Sequence, residues 1–341
     1  MSDFGTFPNG HALSPEQIER RFVRTEVRPP ANPEFAFRAL LPRDWIEDAV
    51  QARPVDAQQL TPLAAWHVDK EGTPVVFHVQ AIQLLRAVTA ADFNRGHGVR
   101  HRMPLEAMRE VSPYLCEALF LREIEGQPFS VRMATALIGD RAYVASGIAH
   151  ARDCDAHNED FGVTMASLEV LERPASPFVE PRVRRTLLQR VEFDTPRSFR
   201  SMSVPGTTRT HEVRDLVQRS PEGETTGLIR VDCDLEAVGR SVDEELAYVA
   251  AHLQHRGVQL SESTQELALV PGEGPLQVTK SLKVNAKSGD ALQSVWITLA
   301  QVRGAALRLW MLSPSRESHF HEWSVNQRGY RILLETLKVL A

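Results

Sequence analysis

The sequence predicts an α+β protein built as a tandem duplication, each of its two similar units an antiparallel sheet packed with helices into an α/β/α sandwich. One observation is a run of three strand-like segments with glycine turns between them and a helical stretch after them. It occurs first as Tyr114–Arg122, Gln127–Ile138 and Arg141–His150, and again as Leu276–Ala286, Ala291–Val302 and Ala305–Leu312. A second is the spacing: Gly126 and Gly289, and Gly139 and Gly304, stand about 163 and 165 residues apart, near half the chain, as expected of one unit used twice. The third is the length, 341 residues, enough for two separate cores.

Residues 1–30 carry Pro8, Pro15, Pro29 and Pro30 among mostly polar neighbours and read as a flexible arm. Within it Ser14 followed by Pro15 suits the start of a short helix over Pro15–Phe22. The first unit, 31–172, opens with the strand Phe35–Leu40, an edge-like segment ended by Leu41-Pro42-Arg43-Asp44-Trp45. Strands follow at Ala64–Val68 and Val75–Ala81, with a Glu71–Gly72 turn between them. A short helical piece ending near Gly96 and a helix over Pro104–Val111 lead into the three-strand meander. A helix over Asn158–Leu171 closes the unit, with Phe161, Met165 and Leu168 on one stripe.

Pro174, Pro177 and Pro181 with the basic run Arg182–Arg185 mark 173–187 as a solvated linker. The second unit, 188–341, starts with strands at Leu188–Phe193 and Phe199–Val204 and a central strand at Leu228–Cys233. Ser241 and Glu244 have the spacing of a capping box, in which each side chain satisfies the other's backbone N–H. Val242, Leu246, Val249, Ala250 and Leu253 form the buried stripe of that helix, and His255-Arg256-Gly257 ends it. Pro271-Gly-Glu-Gly-Pro275 reads as a hairpin loop before the second meander, and Tyr330, Leu333, Leu334, Leu337 and Leu340 stripe the last helix.

Side-chain parity separates the two sheets. Val295, Ile297 and Leu299 alternate with Trp296, Thr298 and Ala300, and Leu307, Leu309 and Met311 with Arg308, Trp310 and Leu312, so the second sheet has two apolar faces to cover. In the first sheet Phe129, Val131 and Met133 oppose Ser130, Arg132 and Ala134. The milder face, Ser130, Arg132 and Ala134, is the candidate surface for docking a protein.

Strand, helix, meander and a closing helix that runs into an apolar segment resemble the PsbP-like fold, shared with the Ran-binding Mog protein. That family opens with a strand running into a proline and then a tryptophan, as Leu41-Pro42-Arg43-Asp44-Trp45 does. Its closing pattern is similar to Tyr143–Ile148 with Phe161–Leu171, and to Leu307–Ser313 with Trp323–Leu340. The second unit keeps Val204-Pro205-Gly206 but has no tryptophan beside it. The resemblance covers nearly everything after residue 30 and implies binding proteins without catalysis. Bacterial members include cytosolic chaperones or adaptors for type VI secretion effectors, besides lipoproteins and photosystem accessory subunits. Met1–Ala12 shows no lipobox or targeting segment, which points away from the latter two.

A hydrophobic fraction of 43%, a charged fraction of 24% and a net charge of −5 describe an ordinary globular chain with no basic bias toward nucleic acid. No apolar window approaches the roughly 20 residues that span a bilayer. Cys116, Cys154 and Cys233 are too few and too scattered for a disulfide framework or a zinc ribbon, and fit reduced thiols in a cytoplasmic protein.

The densest polar cluster is His150, Arg152, Asp153, Cys154, Asp155 and His157, with Asp160 beyond. Imidazole, thiolate and carboxylate there could bind a transition metal or serve acid–base chemistry. The equivalent Ser313–His319 stretch does not repeat the ligands, and a strand-to-helix connection rich in helix-capping residues explains them better. His97 to His101 and His319 with His321 offer no further partner. There is no nucleophile elbow, phosphate loop or dinucleotide fingerprint. Cys116, Cys233, Trp296 and Trp310 read as core.

The expectation is therefore a non-enzymatic cytoplasmic binding protein with no cofactor, no metal and no catalytic residue. Its partner would be a protein client, in the concrete version an apolar helix of a secreted effector or membrane-inserting protein, shielded in a groove composed by the two sheets. Two alternatives stand beside it: a metal-dependent enzyme or metal-binding protein using His150–Asp160, and a small-ligand or lipid carrier with a cavity between sheet and helices.

Overall fold

In a computed structural model, the structure describes residues 7, 13–70, 73–220, 222–267, 277–302 and 304–340. The Glu71–Gly72 turn, the Pro271–Pro275 loop and Arg303 lie outside the described residues. The chain divides into two compact units, Met1–Leu85 with Thr89–Val179, and Arg86–Val88 with Glu180–Ala341.

In the first unit, α1 (Pro15–Arg21) is followed by β1 (Phe22–Val27), β2 (Phe37–Pro42), β3 (Ile46–Asp48), β4 (Thr61–Lys70) and β5 (Thr73–Gln83). Then come α2 (Ala90–Arg100), β6 (Leu105–Ser112), β7 (Leu115–Ile124), β8 (Gln127–Ile138), β9 (Arg141–His150), α3 (Cys154–Ser167) and β10 (Glu169–Val170). The second unit contains β11 (Arg182–Leu187), β12 (Val191–Pro196), β13 (Arg200–Ser203), β14 (His211–Arg219), β15 (Thr225–Asp234), α4 (Val242–His255) and β16 (Val258–Glu266). It ends with β17 (Gln277–Ser288), β18 (Ala291–Val302), β19 (Ala305–Pro314), α5 (Phe320–Thr336) and β20 (Lys338–Val339).

Among the described residues each unit holds one seven-stranded antiparallel sheet and one three-stranded sheet. The orders are β3-β4-β5-β9-β8-β7-β6 and β13-β14-β15-β19-β18-β17-β16, the same sequence of positions. The small sheets, β1-β2-β10 and β11-β12-β20, match as well. The fold is α+β with two similar units, consistent with tandem duplication.

Each sheet is covered on both faces. On one face of the first, Phe37, Phe77, Ala134, Tyr143 and Ala145 pack with Phe161 and Met165 of α3; on the other, Met103, Phe120, Val131, Met133 and Val144 form a smaller cluster near α2. The second sheet buries Trp296, Leu307, Leu309 and Met311 against Trp323, Tyr330 and Leu333 of α5. Its opposite face buries Val284, Val295, Ile297 and Trp310 against Val249 and Leu253 of α4. The capping box is present: the Ser241 hydroxyl accepts from Glu244 N, and the Glu244 carboxylate from Ser241 N.

Register identifies the second unit's counterpart of the opening motif. β10 pairs Val170 with Phe37, and β20 pairs Val339 with Val191, so Phe37 corresponds to Val191 and Pro42 to Pro196. Trp45 then corresponds to Phe199. The matching stretch is Thr195-Pro196-Arg197-Ser198-Phe199, not Val204-Pro205-Gly206. Trp45 packs 5.3 Å from Phe77 and 6.1 Å from Phe161 between ring centroids. Phe199 lies over Gly329, where an added Cβ would stand 2.5 Å from its ring.

Several boundaries differ from expectation. The stretch 104–111 is the edge strand β6, not a helix: its backbone pairs with β7, with register shifts near both ends that hide the alternation. The arm 1–30 contributes α1 and β1, and β1 is zipped to β2 from Phe22↔Pro42 to Val27↔Phe37. The linker's basic run is β11, paired with β12 so that Arg184 lies opposite Asp194. β11 turns into β12 through Leu188 and Gln189, whose φ values are 47° and 53°. Three strands had no forecast, β3, β14 and β16, and β10 and β20 take the ends of segments expected to be helical.

Candidate functional site

The His150–Asp160 segment does not converge. The His150 ring meets Phe129 edge-on at 5.5 Å, and its Nδ1 accepts from Arg152 N. Arg152 turns to Asp153 at 3.2 Å, and Asp160 accepts from Arg21 of α1 at 2.5 Å. His157 is buried beside Phe161, and Cys154 lies near Ser130, where burial pushes its thiol up. Among the described residues no group of three or more His, Cys, Asp or Glu is placed to hold a metal ion.

His97 on α2 and His101, the residue that caps its C-terminus, bring their ring centroids to 4.4 Å. Burial, then the neighbouring His101, His78 and Arg charges, press His97 down to about 4; burial and Arg122 do the same for His78 on β5. Both imidazoles are neutral near pH 7. His319 is the N-cap residue of α5 and makes no side-chain cap bond.

Ser130, Arg132 and Ala134, the expected docking face, are all buried. Arg132 donates to the Asn158 carbonyl at 2.6 Å, to Asn158 Oδ1 at 2.7 Å and to Glu117 Oε1 at 3.1 Å. Arg109 holds the other Glu117 oxygen at 2.7 Å. The Phe7 ring lies over this group, 5.4 Å from Arg109 Cζ and 5.8 Å from Arg132 Cζ. Parity identified the face correctly but could not show that α3 and Phe7 cover it. Burial pushes the Glu117 carboxyl up, and the two arginines oppose that push.

A larger charge network lies under α4. Arg308 of β19 donates to Asp232 at 3.0 Å, to Asp234 at 3.3 Å and to both oxygens of Glu245, with its Cζ 4.2 Å from the Tyr248 ring centroid. Asp232 also faces His211 Nε2 at 3.0 Å and the Tyr248 hydroxyl at 3.1 Å. Asp215 takes two bonds from Arg230 and one from Arg256, and both guanidiniums lie against Trp310. Burial, with Asp232 beside it, pushes the Tyr248 hydroxyl up to about 12. Alternation put Arg308 on one face with Trp310 and Leu312, but its acidic partners come from separate segments and have no common spacing.

Chemically these networks are closed. Each buried cation meets carboxylates or carbonyl oxygens of the same unit, which is how buried charge is stabilised. Cys116 and Cys233 are buried, and burial pushes each thiol up to about 12, far from nucleophilic readiness. Trp296 and Trp310 lie on opposite faces of the second sheet, in the two clusters that parity separates.

Neither a protein-family model nor a curated protein matches the sequence. Among solved structures, LpqN of Mycobacterium tuberculosis, described as involved in cell envelope biogenesis, is 10% identical over 48% of this chain and 100% of its own, with a TM-score of 0.33. Cyanobacterial PsbP from Synechocystis is 11% identical, covering 44% and 92%, with a TM-score of 0.29. The T6SS immunity protein TplEi of Pseudomonas aeruginosa is 9% identical over 94% of this chain and 97% of its own, with a TM-score of 0.25.

Proposed function

We propose that the chain is a non-enzymatic binding protein whose partner is another protein. An adaptor or chaperone for a secreted or membrane-inserting client is the concrete form of that role. The observation that carries it is the outer strand β6. It is bonded on one side by β7 and exposes Leu105 at 43% and Val111 at 47%, with Tyr114 at 41% just beyond. Proteins normally blunt such an edge with charge or cover it. The duplicate edge, β16, does so: from Ser261 to Glu266 it exposes Ser, Glu, Thr and Gln side chains. β6 also exposes Glu106 and Glu110 between its apolar side chains, so its edge suits an extended, partly apolar segment of a client added along it. The closed charge networks support a role without catalysis.

The test is recovery of the protein from its native host under mild conditions, as the parent and as the double variant Val111→Lys, Tyr114→Lys. A protein retained by the parent and lost by the variant is the expected result. A parent without a stable protein partner, or a partner held equally by both, sinks the proposal.

A further inference from the structure

The face of the second sheet under α5 contains polar atoms that the unit itself does not satisfy. Trp323, Gln327 and Arg331 follow one another at four-residue steps along one side of α5, and Ser294 and Trp296 alternate onto the same face of β18. Ser294 and Trp296 are each 2% exposed, Trp323 4% and Gln327 6%. Among the described residues, the Trp296 and Trp323 Nε1 atoms, Gln327 Oε1, Ser294 Oγ and Arg331 Nε have no hydrogen-bond partner. The two indoles meet edge-on with centroids 6.4 Å apart, and Arg331 Cζ lies 5.9 Å from the Trp296 ring. A buried polar atom without a partner is costly, and three N–H groups, a hydroxyl and an amide oxygen left so on facing elements call for a common partner.

The first unit shows how the same positions look when an arginine occupies them. β8 pairs Arg132 with Gly147, and β18 pairs Trp296 with Met311, which sets Ser130 against Ser294 and Arg132 against Trp296. The helix ends at Leu168 and Leu337 align Cys154 with Trp323, Asn158 with Gln327 and Gly162 with Arg331. There Arg132 fills the space and donates to Asn158, and Ser130 bonds Cys154. In the second unit an indole replaces the guanidinium, and the amide oxygen opposite it has no partner among the described residues.

The unsatisfied set is rich in donors. Indole N–H and guanidinium N–H only donate, the Ser294 hydroxyl rotates to donate, and a half-turn of the Gln327 amide presents its NH2. Positive charge comes from Arg331, from Arg316 with Cζ 5.4 Å from the Trp323 ring, and from Lys283, paired with Trp296 across β17. An ionised carboxylate accepts at both oxygens and donates nothing. We propose that the second unit binds a small carboxylate between β18 and α5, held by the indole N–H groups of Trp296 and Trp323 and by Arg331. This site is independent of any client along β6.

The experiment is an acetate titration of the intact protein, followed by the indole N–H resonances in nitrogen-correlated NMR, with chloride at matched ionic strength as control. Saturable downfield shifts of Trp296 and Trp323 are expected, with Trp310 on the opposite face unmoved. Arg331→Gln, which removes a charged donor, should weaken acetate binding about ten- to hundredfold. Unmoved indole signals, equal shifts with chloride, or an unchanged affinity in Arg331→Gln would overturn the proposal. The parent titration decides it even where the variant does not fold.

Discussion

Arg132 and Trp296 hold one position in two copies of a sheet, each on the middle strand of its meander, β8 or β18, and each turned toward the closing helix. In one copy the position carries an ion pair under a helix; in the other it carries an aromatic corner with Trp323 and Tyr330. Backbone pairing is common to both, so the difference lies entirely in what fills the layer between sheet and helix.

The ion pair is the more exposed to mutation. Glu117→Ala leaves Arg132 buried without its carboxylate, and breaking a buried pair of this kind costs about 3–5 kcal/mol. Urea unfolding of the parent and variant measures it; a loss below about 1 kcal/mol, the value typical of a surface pair, contradicts the assignment.

Gly147 lies against Phe161, and a Cβ there would stand 2.4 Å from the ring. Gly147→Ala forces the helix α3 away from β9 and should cost about 1–3 kcal/mol. Thermal unfolding reports the loss, and a paired Phe161→Leu change should recover part of it.

Stability should fall on acidification. His78 and His97 sit at about 4 in the folded chain against 6.5 for an ordinary histidine, first because of burial and then because Arg122, Arg100 and His101 face them. The unfolded chain therefore takes up protons first. The contribution of these two histidines is complete above pH 6.5, is lost as pH falls from 6.5 toward about 4, and changes no further below that. Urea midpoints across this range test it, and His78→Gln should flatten the slope.

The thiols should differ in reactivity. Cys116 and Cys233 are buried with thiols raised to about 12, and Cys154 is half-buried. At mildly alkaline pH a thiol-reactive dye should label at most Cys154 in the native protein and all three cysteines after denaturation. Fast native labelling of Cys116 or Cys233 would show that their strands open.

Duplication and meander were legible because glycine turns and alternating strands are local signals. The Gly126, Gly139, Gly289 and Gly304 turns all take positive φ. β6 was not legible: its register shifts break the alternation, and Leu105, Met108 and Val111 mimic a helical stripe. β14, with Asp215 and His211 turned inward, reads as a polar loop until Arg230 and Asp232 of the next strand are set beside it. The Ser130 face looked open because its cover arrives from Phe7 and Asn158, remote in sequence. The unsatisfied atoms around Trp296 emerge only when β18 and α5 are brought face to face.

The hairpin between β11 and β12 puts Leu188 and Gln189 in the left-handed region, where a side chain costs about 1 kcal/mol or more. Sheet twist dictates that turn, and the residues comply with it at a loss. Gln189 is exposed, so Gln189→Gly should raise stability by about 1 kcal/mol in urea unfolding without disturbing a contact. The chain therefore carries unused headroom: its turns retain residues that selection for a tougher molecule would have exchanged.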